Sequence, residues 1–186
     1  MSKKVLCILA EGFEEVEAVT PIDMLRRAGI EVVVAGLSGI DIAGGHGITL
    51  LADCEFGEVQ QQGEDFDAVL IPGGKGGAEN IAASKEAIDY INDMFAKGGL
   101  VAAICASPGV VLGKTKILSG KKVTCYPGFE KFLPQDAKFS DERVVVDGNI
   151  ITGKAAGATA EFASAITTYL LDKENADRIF KAMFYK

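Results

Sequence analysis

Tryptophan is absent from this chain, and histidine occurs once, as His46. A single imidazole excludes the histidine-rich metal centres, because a catalytic zinc site needs three protein ligands. It also leaves any cysteine nucleophile with one histidine to serve as its base. Cysteine is sparse. Cys7, Cys54, Cys105 and Cys125 show no CxxC spacing. That excludes a zinc ribbon or a paired redox motif and points to free thiols in a reducing, cytoplasmic setting. Positive charge is in deficit, with 19 lysines and arginines against 26 acids and a net charge of -7. Such a balance argues against nucleic acid or an acidic membrane as partner. No apolar run approaches the roughly 18 residues of a membrane span. The run Val5–Ala10 is too short, and too soon followed by acids, for a signal peptide, so it reads as a first strand. No repeat, low-complexity tract or linker interrupts the sequence.

Two nucleotide-binding signatures are also missing. GVVLGKT (109–115) has three residues between its glycines where a phosphate loop needs four, and Pro108 stands at the required glycine position. PGGKGG (72–77) lacks the glycine spacing of a dinucleotide fingerprint. No cofactor and no metal are expected.

What remains is a chain of 186 residues, 48% hydrophobic, long enough for one domain (1–186) with its own core. KVLCIL, EVVVAGL, DAVLIPGG and LVAAIC read as buried strands. Helical spacing runs from Glu14 to Arg27, from about Ala78 to Ala96, from Ala158 to Leu171 and from Lys173 to Phe184. GIDIAGGHGITLLAD predicts a hairpin turning on Gly44–Gly47. KKVTCY, RVVVDG and NIITG are shorter strands, with a turn at Asp147-Gly148. Alternating strands and helices, with continuous apolar runs, predict an α/β fold whose mostly parallel sheet is covered on both faces. Such sheets place their sites beyond the carboxyl ends of the strands. AEGFEE, PGGKGG and CASPG all fall at such ends.

Cys105 follows the last apolar run and precedes Ser107-Pro108, an expected N-cap and first helical residue. Helix amides there would favour the thiolate. Position alone leaves two readings open, a buried structural thiol or an activated nucleophile. Glu14 and Glu15 are expected to be solvated charges complementing a helix start. Glu17 lies among Val16, Ala18 and Val19, where a carboxyl can keep its proton near neutral pH. PGGKGG can present backbone N–H groups to an oxyanion, or serve only as a tight turn. His46, at a hairpin tip far from the strand ends, is expected to be merely solvated.

GFEEVEAVTPIDMLRRAGI, the PGG turn and AAICASP, in this order, resemble the DJ-one/ThiJ/PfpI superfamily, in the branch that includes the parkinsonism-associated protein deglycase. The similarity spans nearly the whole chain, including VVVAGL and AEFASAI. It implies a flavodoxin-like fold, a homodimer, an easily oxidised cysteine at a strained turn (Cys105) and a protonated glutamate bonded to its sulfur (Glu17). It implies oxyanion-binding amides at Gly74 and Ala106, with Gly73, Tyr126 and Lys154 at the substrate pocket. Two departures stand out. Tyr126-Pro127 replaces the family's His-Pro pair, and Lys154 with Ala155-Ala156-Gly157 replaces an arginine followed by Gly-Pro-Gly. Ala106 stands where the protease branch carries histidine, which argues against proteolysis.

The resemblance therefore implies a glutathione-independent glyoxalase or deglycase acting on methylglyoxal-type dicarbonyls or their early adducts. The alternative is a redox-sensing holdase signalling through Cys105 oxidation. Cys7 is expected in the core and Cys54 exposed and oxidisable. Cys125, beside Tyr126 on a strand, is expected to point away from the site.

Overall fold

A computed structural model describes residues 2–185. Its strands and helices follow in the order β1 (Lys4–Leu9), α1 (Glu15–Arg27), β2 (Glu31–Gly36), β3 (Asp41–Ala43), β4 (Thr49–Leu51), β5 (Cys54–Glu55), α2 (Phe56–Gln62), β6 (Ala68–Ile71), α3 (Lys75–Ala83), α4 (Lys85–Ala96), β7 (Leu100–Ile104), α5 (Ser107–Val110), β8 (Lys122–Val123), β9 (Lys138–Phe139), β10 (Val144–Asp147), β11 (Ile150–Gly153), α6 (Thr159–Leu170) and α7 (Lys173–Ala182).

Seven strands form one sheet in the order β10-β11-β7-β6-β1-β2-β5. All its neighbours run parallel except β10 and β11, which pair antiparallel across the turn predicted at Asp147-Gly148. The apolar runs are continuous because both faces are covered. Along β1, Leu6 and Ile8 join one core with Val69, Ile91 and Val101. Val5, Cys7 and Leu9 join the other, with Leu25, Phe162 and Ile166. Burying each such side chain stabilises the fold by about 1.5–3 kcal/mol. In α1, Ala18, Ile22 and Leu25 recur at helical spacing and face that second core.

The strand order reverses between the parallel neighbours β1 and β6. From β1 the chain moves outward to β2 on one side, and from β6 it moves outward to β7 on the other. A crevice forms at such a switch point, beyond the carboxyl ends of the strands. The segments after β1, β6 and β7 meet there.

Two expectations about elements need correction, and the structure adds one helix. The helix read over 78–96 starts at Lys75 and is broken at Ser84, whose backbone is extended and whose Oγ accepts the Ala87 N–H at 3.2 Å. A serine that caps the second helix ends the first, because it offers the backbone a non-helical partner. The strand read over KKVTCY shrinks to Lys122–Val123. Helix α2 was not foreseen; Glu55 and Glu58 form a reciprocal capping box at its start, and Gly63 ends it in the left-handed region at φ 63°.

Candidate active site

The turn after β7 carries the nucleophile candidate. Cys105 has φ 65°, one of two non-glycine residues with positive φ among those described. For an L-residue this costs roughly 1–2 kcal/mol, so the surroundings must impose it. They do so from both sides. The Cys105 N–H donates to the Gly153 carbonyl at the end of β11 at 2.9 Å, and the Cys105 carbonyl accepts the Tyr126 N–H at 2.8 Å. Ser107 adds a third tie. It is not the N-cap; Ala106 holds that place, and no side chain caps α5. The fully buried Ser107 hydroxyl donates instead to the Pro72 carbonyl at 2.6 Å, which locks the cysteine turn to the glycine turn after β6.

Glu17 comes from the first turn of α1 and is 1% exposed. Neither carboxyl oxygen has a hydrogen-bond partner of good geometry among the described residues. The groups facing them are the Cys105 thiol and the Gly73 N–H. Burial pushes the Glu17 carboxyl up to about 7, the thiol and the Gly73 N–H partly offset this, and the charge on Glu14 adds to the rise. Burial likewise raises the Cys105 thiol, and a charged Glu17 beside it raises it further; the N–H groups of Ala106 and Gly74 act the other way. Two such neighbours do not ionise together. A neutral Glu17 beside an ionised Cys105 would both remove the opposing charge and supply a donor to the sulfur.

Gly73 is what lets the two approach. A Cβ there would collide with Glu17 Oε2 and lie 2.6 Å from the Cys105 Cβ. Gly74, at φ 85°, then turns its N–H toward the sulfur, and the Glu14 N–H donates to the Gly73 carbonyl at 3.0 Å. Pro21, one turn after Glu17, has no N–H to give the Glu17 carbonyl.

Cys105, Glu17, Gly73, Gly74 and Ala106 thus converge. Tyr126 stays close through its backbone, but its ring is 46% exposed and packs edge-on against Phe129, centroids 6.0 Å apart. Lys154 follows Gly153, and its ammonium pairs with Asp141 at 2.6 Å. Cys7 and Cys125 are fully buried, and burial pushes both thiols up to about 12. Cys54 is half-buried in β5 rather than exposed, and burial raises its thiol too. A cavity of about 420 Å³ lined by Lys3, Asp67, Tyr90 and Lys97 lies near the amino ends of β1 and β6, away from these groups, and has no cysteine in its wall. Side-chain chemistry, not concavity, locates the site.

The expectations for Glu15 and His46 also need correction. Glu15 is 5% exposed, and its Oε1 accepts the His46 N–H at 2.7 Å. Its Oε2 lies 2.9 Å from His46 Nδ1, which also lies 3.2 Å from Glu14 Oε2. The β3–β4 hairpin folds back on the start of α1: the Gly12 N–H donates to the Ala43 carbonyl, and the Gly45 N–H to the Phe13 carbonyl, each at 2.8 Å. No local pattern in the sequence signals this return, because it is made by backbone groups.

A cysteine forced into the left-handed region, beside a buried carboxyl and two turn amides, sits on a seven-stranded, mostly parallel frame. The model of the DJ-1/PfpI family matches residues 3–169. The chain belongs to the DJ-1/PfpI family. Protein dj-1beta of Drosophila melanogaster is 40% identical over 185 residues, covering 98% of this chain and 97% of that protein. Its crystal structure superposes with a TM-score of 0.95 over the full length of both chains, at 39% identity. A structure titled Toxoplasma gondii DJ-1, oxidized, superposes at 0.94, with 38% identity and 99% of each chain covered. A protein of Pyrococcus abyssi named a deglycase is 34% identical over 155 residues, covering 83% of this chain and 91% of its own. The α/β frame is accordingly the flavodoxin-like fold of this DJ-1/PfpI family. No helix among the described residues is long and apolar enough to cross a membrane.

Proposed function

We propose that this DJ-1/PfpI member is a cysteine-dependent, glutathione-independent glyoxalase or deglycase acting on methylglyoxal-type dicarbonyls or their early adducts. The observation that carries the reading is the orphaned Glu17 carboxyl held against the Cys105 thiol around Gly73. The deglycase-named relative supports it. The Cys105 sulfur adds to the aldehyde carbon; the carbonyl π pair moves to oxygen, which takes a proton from Glu17 and forms a hemithioacetal. The Gly74 and Ala106 amides stabilise the oxyanion as it develops. The Glu17 carboxylate then removes the proton on the former aldehyde carbon and returns it to the adjacent carbon through an enediol. The resulting thioester is cleaved by water, which frees lactate and restores the thiol. No group outside the chain is consumed except water. Tyr126 and Lys154 would meet the substrate.

The test is conversion of methylglyoxal to lactate without glutathione, comparing the native protein with Cys105→Ser. A loss of more than about tenfold, or ~1.4 kcal/mol in barrier, is expected. Equal turnover in the variant overturns the reading. A second reading rests on the same strained cysteine: a redox-responsive stress protein or holdase in which Cys105 becomes a sulfinate, its oxygens facing protonated Glu17 and the turn amides. The oxidised Toxoplasma relative supports it. Both readings include a cytoplasmic homodimer. Exposed Val16 and Val19 on α1 and Leu51 on β4 supply apolar surface for it.

A further inference from the structure

The hairpin tip and the start of α1 bring three ligand atoms to one point: His46 Nδ1, Glu14 Oε2 and Glu15 Oε2. Nδ1 is 2.9 Å from the Glu15 oxygen and 3.2 Å from the Glu14 oxygen, and a ligand atom of each residue lies within 4.8 Å of the others. Two separations near 3 Å, with the third within 4.8 Å, suit the coordination sphere of a small divalent ion, whose bonds to imidazole nitrogen and carboxylate oxygen run about 2.0–2.2 Å.

Two further observations point to a cation. Glu15 is 5% exposed, yet no lysine or arginine lies within 4.0 Å of its carboxylate or that of Glu14 among the described residues. The two Glu15 oxygens are also divided in their work. Oε1 accepts the N–H of His46 at 2.7 Å and that of Ile48 at 3.4 Å, which fixes the carboxylate plane. Oε2 has only the cluster's imidazole as partner. Such a backbone-oriented carboxylate, whose second oxygen faces only the other members of the cluster, is how proteins aim a ligand. His46 itself is 70% exposed, so an ion has a path in and water can complete the sphere.

We infer that Glu14, Glu15 and His46 form a binding site for a divalent first-row transition ion, of the zinc, cobalt or manganese class, that clips the β3–β4 hairpin to α1. The ion would replace the Nδ1 proton, so binding an imidazolium releases one proton to solvent and leaves the two carboxylates charged. Imidazole with two carboxylates selects such ions over magnesium or calcium, which favour an all-oxygen shell. The expectation that one histidine makes a poor metal site counted imidazoles alone; the fold supplies two carboxylates that lie far from it in sequence. None of the three ligands is Cys105 or Glu17, and the inference does not depend on the proposed activity.

The chain's single histidine makes the test clean. Full-length protein, stripped with chelator, is titrated with Co²⁺ and then competed with Zn²⁺, while the imidazole ¹⁵N resonances are followed on the zinc form. One ion per chain is expected, with Nδ1 shifted to a metal-bound position and no cobalt–thiolate charge-transfer band. His46→Gln and Glu14→Gln, both on partly exposed side chains, should each weaken binding by more than about tenfold, while Cys105→Ser leaves it unchanged. Three results overturn the inference: no binding up to about 1 mM ion, binding that survives His46→Gln, or binding lost with Cys105→Ser. The resonance measurement on the native protein decides the matter even where a variant fails to fold.

Discussion

Glu17 Oε2 and the Cys105 Cβ abut the same face of Gly73, so that even a methyl group there would strike both. Gly73→Ala is therefore expected to destabilise the protein by about 1–3 kcal/mol, as overpacking does. It should also part the carboxyl from the thiol. Denaturant unfolding and lactate formation on the same sample check this. Native-like stability together with native turnover would mean that the two groups do not need their close approach.

Replacing Glu17 with Gln keeps size and a donor but removes the transferable proton. Turnover is expected to fall by about 10²–10⁴-fold, the range for a lost general acid–base. The alkylation rate of Cys105 against pH should retain an ionising thiol near the native position. If Glu17→Gln leaves turnover intact, Glu17 is a hydrogen-bond donor only, and the redox reading gains over the enzymatic one.

The left-handed backbone of Cys105 carries a separate expectation. Cys105→Gly and Cys105→Ala both abolish the chemistry, but only glycine relaxes φ 65°. The glycine variant should match or exceed the alanine variant in stability, by up to about 1 kcal/mol after glycine's extra unfolded-state entropy is counted. Thermal midpoints of the pair decide it; a glycine variant clearly below alanine would show that the turn is not strained.

Mild peroxide should add two oxygens to Cys105 before any other cysteine. Cys7 and Cys125 are fully buried, while burial raises the thiols of Cys54 and Cys105 alike. Contact with the Ala106 and Gly74 amides, which favour the charged sulfur, sets Cys105 apart. Peptide mass mapping over time reports the order, and Cys54 reacting first would refute it.

Stability should fall as pH rises from about 5 to 8. The Glu17 carboxyl sits near 7 when folded against an ordinary value of 4.5, because burial disfavours its charge. Between these values the folded protein binds more protons than the unfolded chain, so stability drops with pH, by about 3 kcal/mol in all, and levels off above 7. His46 pushes the same way: its partners Glu15 and Glu14 raise it, and that contribution is complete below about 6.5 and fades as pH climbs through the folded value. Glu15 acts only in acid, where its contribution is lost as pH falls from 4.5 toward 2. The clean comparison is Cys105→Ser with and without Glu17→Gln, both retaining His46. The glutamine variant should show the shallower decline in thermal midpoint; parallel curves would place Glu17 outside the low-dielectric site.

The sequence by itself determined the strand–helix alternation, the three loops at the carboxyl edge, and the residues Cys105 and Glu17. Apolar runs and helical spacing are local, and so are the motifs that resemble the family. Tertiary structure decided what lies between elements. Ser107 reads as an N-cap from its neighbours, yet its hydroxyl is spent on Pro72, because the turns after β6 and β7 are adjacent only in the sheet. Glu15 reads as a solvated charge, yet the hairpin buries it under His46, through hydrogen bonds from the hairpin backbone and a close approach that only a glycine at position 44 leaves room for. The positive φ of Cys105 is likewise invisible locally. It is imposed by Gly153 and Tyr126, which come from later in the chain, and a strained conformation persists only where distant contacts over-determine it.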